Sequence, residues 1–136
     1  KKYLWYSLET AAVNNSLAKI RFNSDNGNNY SNRRSTNGGS DFTSLSTSNS
    51  YITIGGTSTG WNEYATGYII NNSTAEKLVI SDAQSNNGSG AGVVPARRET
   101  VNKWQDATTA ITSVQMVNGG TGDFDTGSTL TIWGHD

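Results

Sequence analysis

The sequence predicts an all-β domain, an antiparallel β-sandwich of jelly-roll-like form with about eight strands. Three observations predict it. Short runs with a two-residue apolar period recur along the chain, and stretches rich in Gly, Asn, Asp, Ser and Thr separate them. No apolar stripe at helical spacing appears, apart from a candidate turn at Gln105–Ala110. Period two sets alternate side chains on opposite faces of a strand, so one face of each run can be buried. A sheet of eight or nine such strands tends to curl or to split into two packed layers.

Lys1–Glu9 alternates Tyr3, Trp5 and Ser7 against Leu4, Tyr6 and Leu8, and is the first strand. Leu17–Asn23 is the second, with Ala18, Ile20 and Phe22 inward and Lys19 and Arg21 outward. Ser24–Asn29 has the Asp, Asn and Gly of a turn, and Tyr30–Ser35 pairs back as a polar strand. Thr36–Ser48 reads as an exposed loop, and Ser50–Ile54 as a strand closed by Gly55 and Gly56. After a loop carrying Trp61, Glu63–Asn71 places Tyr64, Tyr68 and Ile70 on one parity, and Asn71–Thr74 turns the chain. Glu76–Ala83 alternates Leu78 and Ile80 against Lys77, Val79 and Ser81. A glycine-rich loop at Asn86–Gly92 leads to Pro95–Trp104, whose low apolar content predicts an edge or largely exposed strand. Ile111–Val117 and Ser128–Trp133 flank a loop containing Asn118, Gly119, Gly120 and Gly122, residues that tolerate positive φ. Thr112, Val114 and Met116 share one face and Leu130 and Ile132 another, so the two runs read as a half-buried antiparallel pair.

Length fits a single domain over residues 1–136, large enough to build its own core. With no cysteine it does so without disulfides, which suits a reducing cell or a particle assembled in one. Only 33% of residues are hydrophobic, yet 10% are aromatic and only 15% charged, a balance of many short strands and polar turns and not of disorder. Net charge is −1 and no long basic run exists, so electrostatics does not support nucleic-acid binding. No apolar stretch approaches the roughly 20 residues that span a bilayer as a helix. The chain starts at Lys1 and runs at once into a strand, from which a further N-terminal segment is expected upstream.

Few residues suggest chemistry. The single histidine, His135, lies next to the C-terminus, where a general base is poorly held. No thiolate and no histidine cluster exist, and the acidic residues are scattered, so the expectation is no catalytic residue and no enzyme. A hydrolase would need two carboxylates roughly 5–10 Å apart in a cleft. Calcium is the one cofactor considered. Asp25 lies in an Asn/Asp/Gly loop and Asp123 and Asp125 form a second acidic spot, although neither follows the register of an EF-hand. The competing and preferred reading is side chains capping their own turns, leaving no cofactor. Trp5, Trp104, Trp133 and Phe22 are expected to fill the core. Trp61 and Tyr64 are candidates for stacking on a sugar or anchoring a partner, against a reading in which Trp61 folds over the end of the sandwich. Arg33-Arg34 and Arg97-Arg98 are surface pairs by default. One arginine of each pair would otherwise point to an interface or to a carboxylate such as Glu99 or Asp82.

Three segments carry a family resemblance. They are Ile20–Tyr30 followed by Arg33 or Arg34, Glu76–Ser81 with the Gly/Ala-rich loop and Arg97-Arg98-Glu99 leading to Lys103-Trp104, and the ending from Gly120 to Gly134. From about Ala18 to Gly134 the chain resembles virion structural proteins of tailed bacteriophages, on turn chemistry and strand patterns without catalytic content. The resemblance implies a non-enzymatic β-sandwich component of a tail or fibre, or a capsid decoration. It would be assembled in host cytoplasm and work outside the cell in the virion, as a trimer or higher homo-oligomer alongside other virion proteins. The alternative is a carbohydrate- or receptor-binding module at a fibre tip, engaging a host-surface glycan. Neither reading involves nucleic acid or membrane insertion.

Overall fold

Ten strands and no helix form among the described residues of the computed structural model, which are 1–11, 16–44, 49–55 and 61–136. They are β1 (Tyr3–Thr10), β2 (Ala18–Phe22), β3 (Tyr30–Thr36), β4 (Phe42–Ser44), β5 (Ile52–Thr53), β6 (Glu63–Ile70), β7 (Lys77–Ser85), β8 (Ala96–Trp104), β9 (Val114–Asn118) and β10 (Thr129–His135). A seven-stranded sheet runs in the order β10-β1-β6-β7-β8-β3-β4, and a three-stranded sheet in the order β5-β2-β9. Every pairing is antiparallel. The all-β sandwich is therefore present, divided unequally into a wide sheet and a narrow one.

The core lies between them. Tyr6, Leu8, Ile69, Val79 and Trp104 from the large sheet meet Ile20, Phe22 and Ile52 from the small one, with Tyr30 and Ile54 completing the cluster. Phe22, Tyr30 and Trp104 form an aromatic nucleus with ring centroids 5.6–6.3 Å apart. The polar handles of the buried core aromatics are met. The Tyr6 hydroxyl lies 2.6 Å from Ser81 Oγ, and Trp104 Nε1 donates to Asp25 Oδ2 at 2.7 Å. Tyr6 packs flat over Gly67, where a Cβ would sit 2.4 Å from the ring, so only glycine admits it.

Several local expectations differ from what forms. β8 is no edge strand, because β7 and β3 flank it. Its inward residues are polar, but they are bonded: Arg98 donates to Gly55 O at 2.7 Å, Thr100 to Thr53 O at 3.3 Å, and Asn102 accepts from Thr53 N at 3.2 Å. Hydrogen bonding substitutes there for the apolar content that the pattern lacked. β3 pairs with β8 and β4 and not with β2, and β4 forms within the expected loop. The end of that loop (45–48), with Gly56 and Gly60, lies outside the described residues. β9 and β10 do not form a hairpin. β9 joins β2 and β10 joins β1, in different sheets. Asn118 accounts for the divergence, since its Oδ1 accepts from Leu17 N and Gly120 N, both at 2.8 Å, and ties the chain to the start of β2. Residues 105–110 form no helical turn, because Asp106 accepts from Thr108 N and Thr109 N and closes an Asx turn instead. Lys19 is buried, not outward, and donates to Thr53 Oγ1 at 3.3 Å. Finally, Trp5 and Trp133 are 41% and 44% exposed and lie outside the core that Trp104 and Phe22 fill.

Candidate functional site

The two exposed tryptophans belong to the outer face of the large sheet, which residue pairing arranges into rows. One row runs Trp133, Trp5, Tyr68, Ile80, Val101, Arg33 across six adjacent strands. The next runs His135, Tyr3, Ile70, Leu78, Lys103. On the other side of the first lie Thr131, Ser7, Thr66, Asp82, Glu99, Ser35, and beyond them Thr129, Glu9, Tyr64, Gln84, Arg97. Half of the face is thus apolar and half is hydroxylated and charged. Strands stand about 4.8 Å apart, so the apolar half reaches about 19 Å from β10 to β8.

Its large side chains (Tyr3, Trp5, Tyr68, Ile70, Leu78, Ile80, Val101 and Trp133) are between 41% and 65% exposed. That many half-exposed large residues put the patch at or above the roughly 300–600 Å² typical of the largest patch on a monomer. Trp5 stacks on Trp133 at 4.7 Å and on Tyr68 at 6.2 Å, so the aromatic end is rigid before anything touches it. A shallow depression lined by Tyr3, Trp5, Tyr68 and Trp133 marks that end.

Of the candidate site residues singled out from the sequence, Arg33 ends the first row and the others fall outside the apolar half. Tyr64 is exposed on the same face but in the polar half, about 13 Å along β6 from Tyr68. Trp61 is half-buried ahead of β6. Arg33 points outward and pairs with Asp41 at 3.0 Å, while Arg34 lies 4.4 Å over the Phe42 ring. Of the second pair, Arg97 faces out toward Glu99 at 3.7 Å and Arg98 is buried. Its interior neighbours are Gly55 O and Glu63, since Glu99 and Asp82 both face outward. Burial, reinforced by the Arg98 and Arg34 charges, pushes Lys19 down to about 8, with Glu63 opposing.

Asp25 is engaged by N–H donors. Gly27 N, Asn29 Nδ2 and Trp104 Nε1 all donate to its carboxylate at 2.7–3.0 Å. Partial burial pushes its pKa up, but these hydrogen bonds outweigh burial and hold it below the usual carboxylate range. Asp123 and Asp125 are exposed, and Asp125 O accepts from Ser128 N in its own turn. Among the described residues no group of three or more His, Cys, Asp or Glu could hold a metal ion. The structure does bring two carboxylates together, because Asp82 stands directly opposite Glu99 in the ladder. They lie on the open sheet face, beside Ile80 and Val101.

Parity could have revealed the apolar face. Trp133 alternates with Leu130 and Ile132 and shares its parity with Thr129 and Thr131; Trp5 shares its parity with Ser7 and Glu9. No family model, curated protein or solved structure matches this chain.

Proposed function

We propose that this chain is a non-enzymatic structural subunit that works by docking the apolar half of its seven-stranded sheet against other subunits of a larger assembly. The observation that supports this reading is the mixture in the two apolar rows. Ile70, Leu78, Ile80 and Val101 continue the aromatic cluster across β6, β7 and β8. Aliphatic side chains contribute little to stacking on a sugar, but they are what a desolvated protein contact buries. The assembly suggested by the sequence resemblance is a bacteriophage particle, in its tail, fibre or head decoration, which would place the chain extracellularly when functional. Sedimentation velocity tests the reading. The wild-type chain should form homo-oligomers at micromolar concentration, and a Leu78→Ser/Ile80→Ser variant should sediment as smaller species with unchanged circular dichroism. Unaltered association would count against the face.

A second reading has its own support. The Trp5, Tyr68 and Trp133 rings border Ser7, Thr66 and Asp82, so a ring-stacking surface adjoins hydroxyls and a carboxylate that suit a carbohydrate. Glycan-array binding that is lost in Trp5→Ala, with self-association intact, would favour that reading.

A further inference from the structure

The edge of the large sheet carries a second contact. Among the described residues β10 is paired on one side only, by β1. Among the described residues no backbone group from any other element bonds to Thr129–His135. Seven residues at about 3.4 Å each give an edge about 24 Å long, a row of backbone donors and acceptors of the kind that templates strand addition. Folded proteins commonly blunt such edges with lysine, proline or extreme shortness. β10 has none of these. From Thr126 to Gly134 no side chain is charged and none is proline. The opposite edge, β4, is three residues long and lies beside Arg33, Arg34 and Asp41.

We propose that β10 is where a second copy of this chain adds, antiparallel and about a two-fold axis, joining two seven-stranded sheets into one. The inference rests on the reading of the chain as an assembly subunit, but it uses the strand edge and not the sheet face. A second copy is the occupant that fits. An uncharged strand presents no like charges to itself across a two-fold, whereas an acidic or basic partner segment finds no counter-charge on it. Leu130 and Ile132 are half-buried on the inner side of the edge, and Trp133 is half-exposed on the outer side. Antiparallel self-pairing keeps inward residues opposite inward ones, so each copy covers the other's Leu130 and Ile132. It also brings the two Trp133–Trp5–Tyr68 rows end to end on one face. Strand pairing alone buries less than the roughly 1,200 Å² of a stable interface, so the dimer is expected to dissociate at micromolar concentration.

The full chain tests this directly. Thr129 and Thr131 are exposed on the outer side of β10, so Thr129→Lys/Thr131→Lys leaves the fold intact while placing like charges across the two-fold. The expected result is association of the wild-type chain in sedimentation velocity above the micromolar range, with the β10 amides that point away from β1 protected from hydrogen exchange as well as those bonded to it. In the Leu78→Ser/Ile80→Ser background the lysine pair should weaken dimerisation at least tenfold and remove the protection of those outward amides. Because the chain has no cysteine, single variants Thr129→Cys, Thr131→Cys and Trp133→Cys can cross-link only between copies, and one of them should give a disulfide dimer on mild oxidation. The face variant Leu78→Ser/Ile80→Ser should keep the β10 dimer, which separates failure of this inference from failure of the face. Dimerisation of the face variant that survives addition of the lysine pair, or rapid exchange in concentrated wild-type protein of the β10 amides that point away from β1, would overturn it.

Discussion

The two sides of the seven-stranded sheet carry much the same residue types and do opposite things with them. Inside, Tyr6, Tyr30 and Trp104 are fully or almost fully buried, and each aromatic polar atom has a partner in Ser81, the β2–β3 turn or Asp25. Outside, Tyr3, Trp5, Tyr68 and Trp133 stack on one another or stand among aliphatic neighbours, and keep two-fifths or more of their surface in water. A buried aromatic needs its polar handle satisfied, so local hydrogen bonds mark the inner set. Among the described residues the outer set has no such arrangement around it, in keeping with the contact proposed for that face.

The largest expected effect separates the two sets. Trp104→Ala empties the centre of the aromatic nucleus and leaves Asp25 without its indole donor, and should cost about 3–5 kcal/mol in urea denaturation. Asp25→Ala attacks the same nucleus from the turn. Losing a charged acceptor of several N–H groups, one of them from Trp104, should cost about 1–3 kcal/mol. Added calcium should leave the wild-type melting temperature unmoved, because ligands that bind only the folded state raise it.

The inner face also sets a pH dependence. Lys19 releases its proton near pH 8 when folded and near its ordinary 10.5 when unfolded, so between those values the unfolded chain holds more protons. Stability therefore rises with pH across that window, by on the order of 2 kcal/mol. Above pH 10 the trend reverses. Burial raises Tyr30 to about 12 and Tyr6 further, so the unfolded chain loses those protons first. Denaturation followed from pH 7 to 11 should show a maximum near pH 9–10, and Lys19→Met should flatten the rising limb.

The smallest effect on folding sharpens the contrast most. Tyr68→Ser and Ile80→Ser should each change monomer stability by no more than about 1 kcal/mol, since both residues are already largely hydrated. They should nevertheless weaken association severalfold.

Much of the sheet was legible in the sequence, and the reasons for the failures are local. Alternation locates β1, β6 and β7 to within two residues, because runs such as Tyr3–Leu8 have one parity that must be buried. It cannot rank the two parities where both carry large apolar side chains, so size alone points Trp5 and Trp133 into the core with Trp104. The neighbours Thr129 and Thr131 contained the correction for Trp133. β8 reads as an edge or exposed strand because Arg98, Thr100 and Asn102 are polar, and their partners Gly55 and Thr53 lie more than forty residues away. The divergence of β9 and β10 depends on Asn118 reaching Leu17, a contact that no short-range pattern encodes. The opposition of Asp82 and Glu99 is likewise a product of register, which strand patterns alone leave open.

Hydroxyl-radical footprinting read by mass spectrometry tests the central claim most directly, because it reports each outer-face side chain separately. On passing from dilute to assembled protein, Trp5, Tyr68, Leu78 and Ile80 should become protected, while Tyr64, on the same face but in its polar half, stays reactive. Equal labelling of the apolar rows in the dilute and assembled states, or protection confined to residues outside this face, would contradict it.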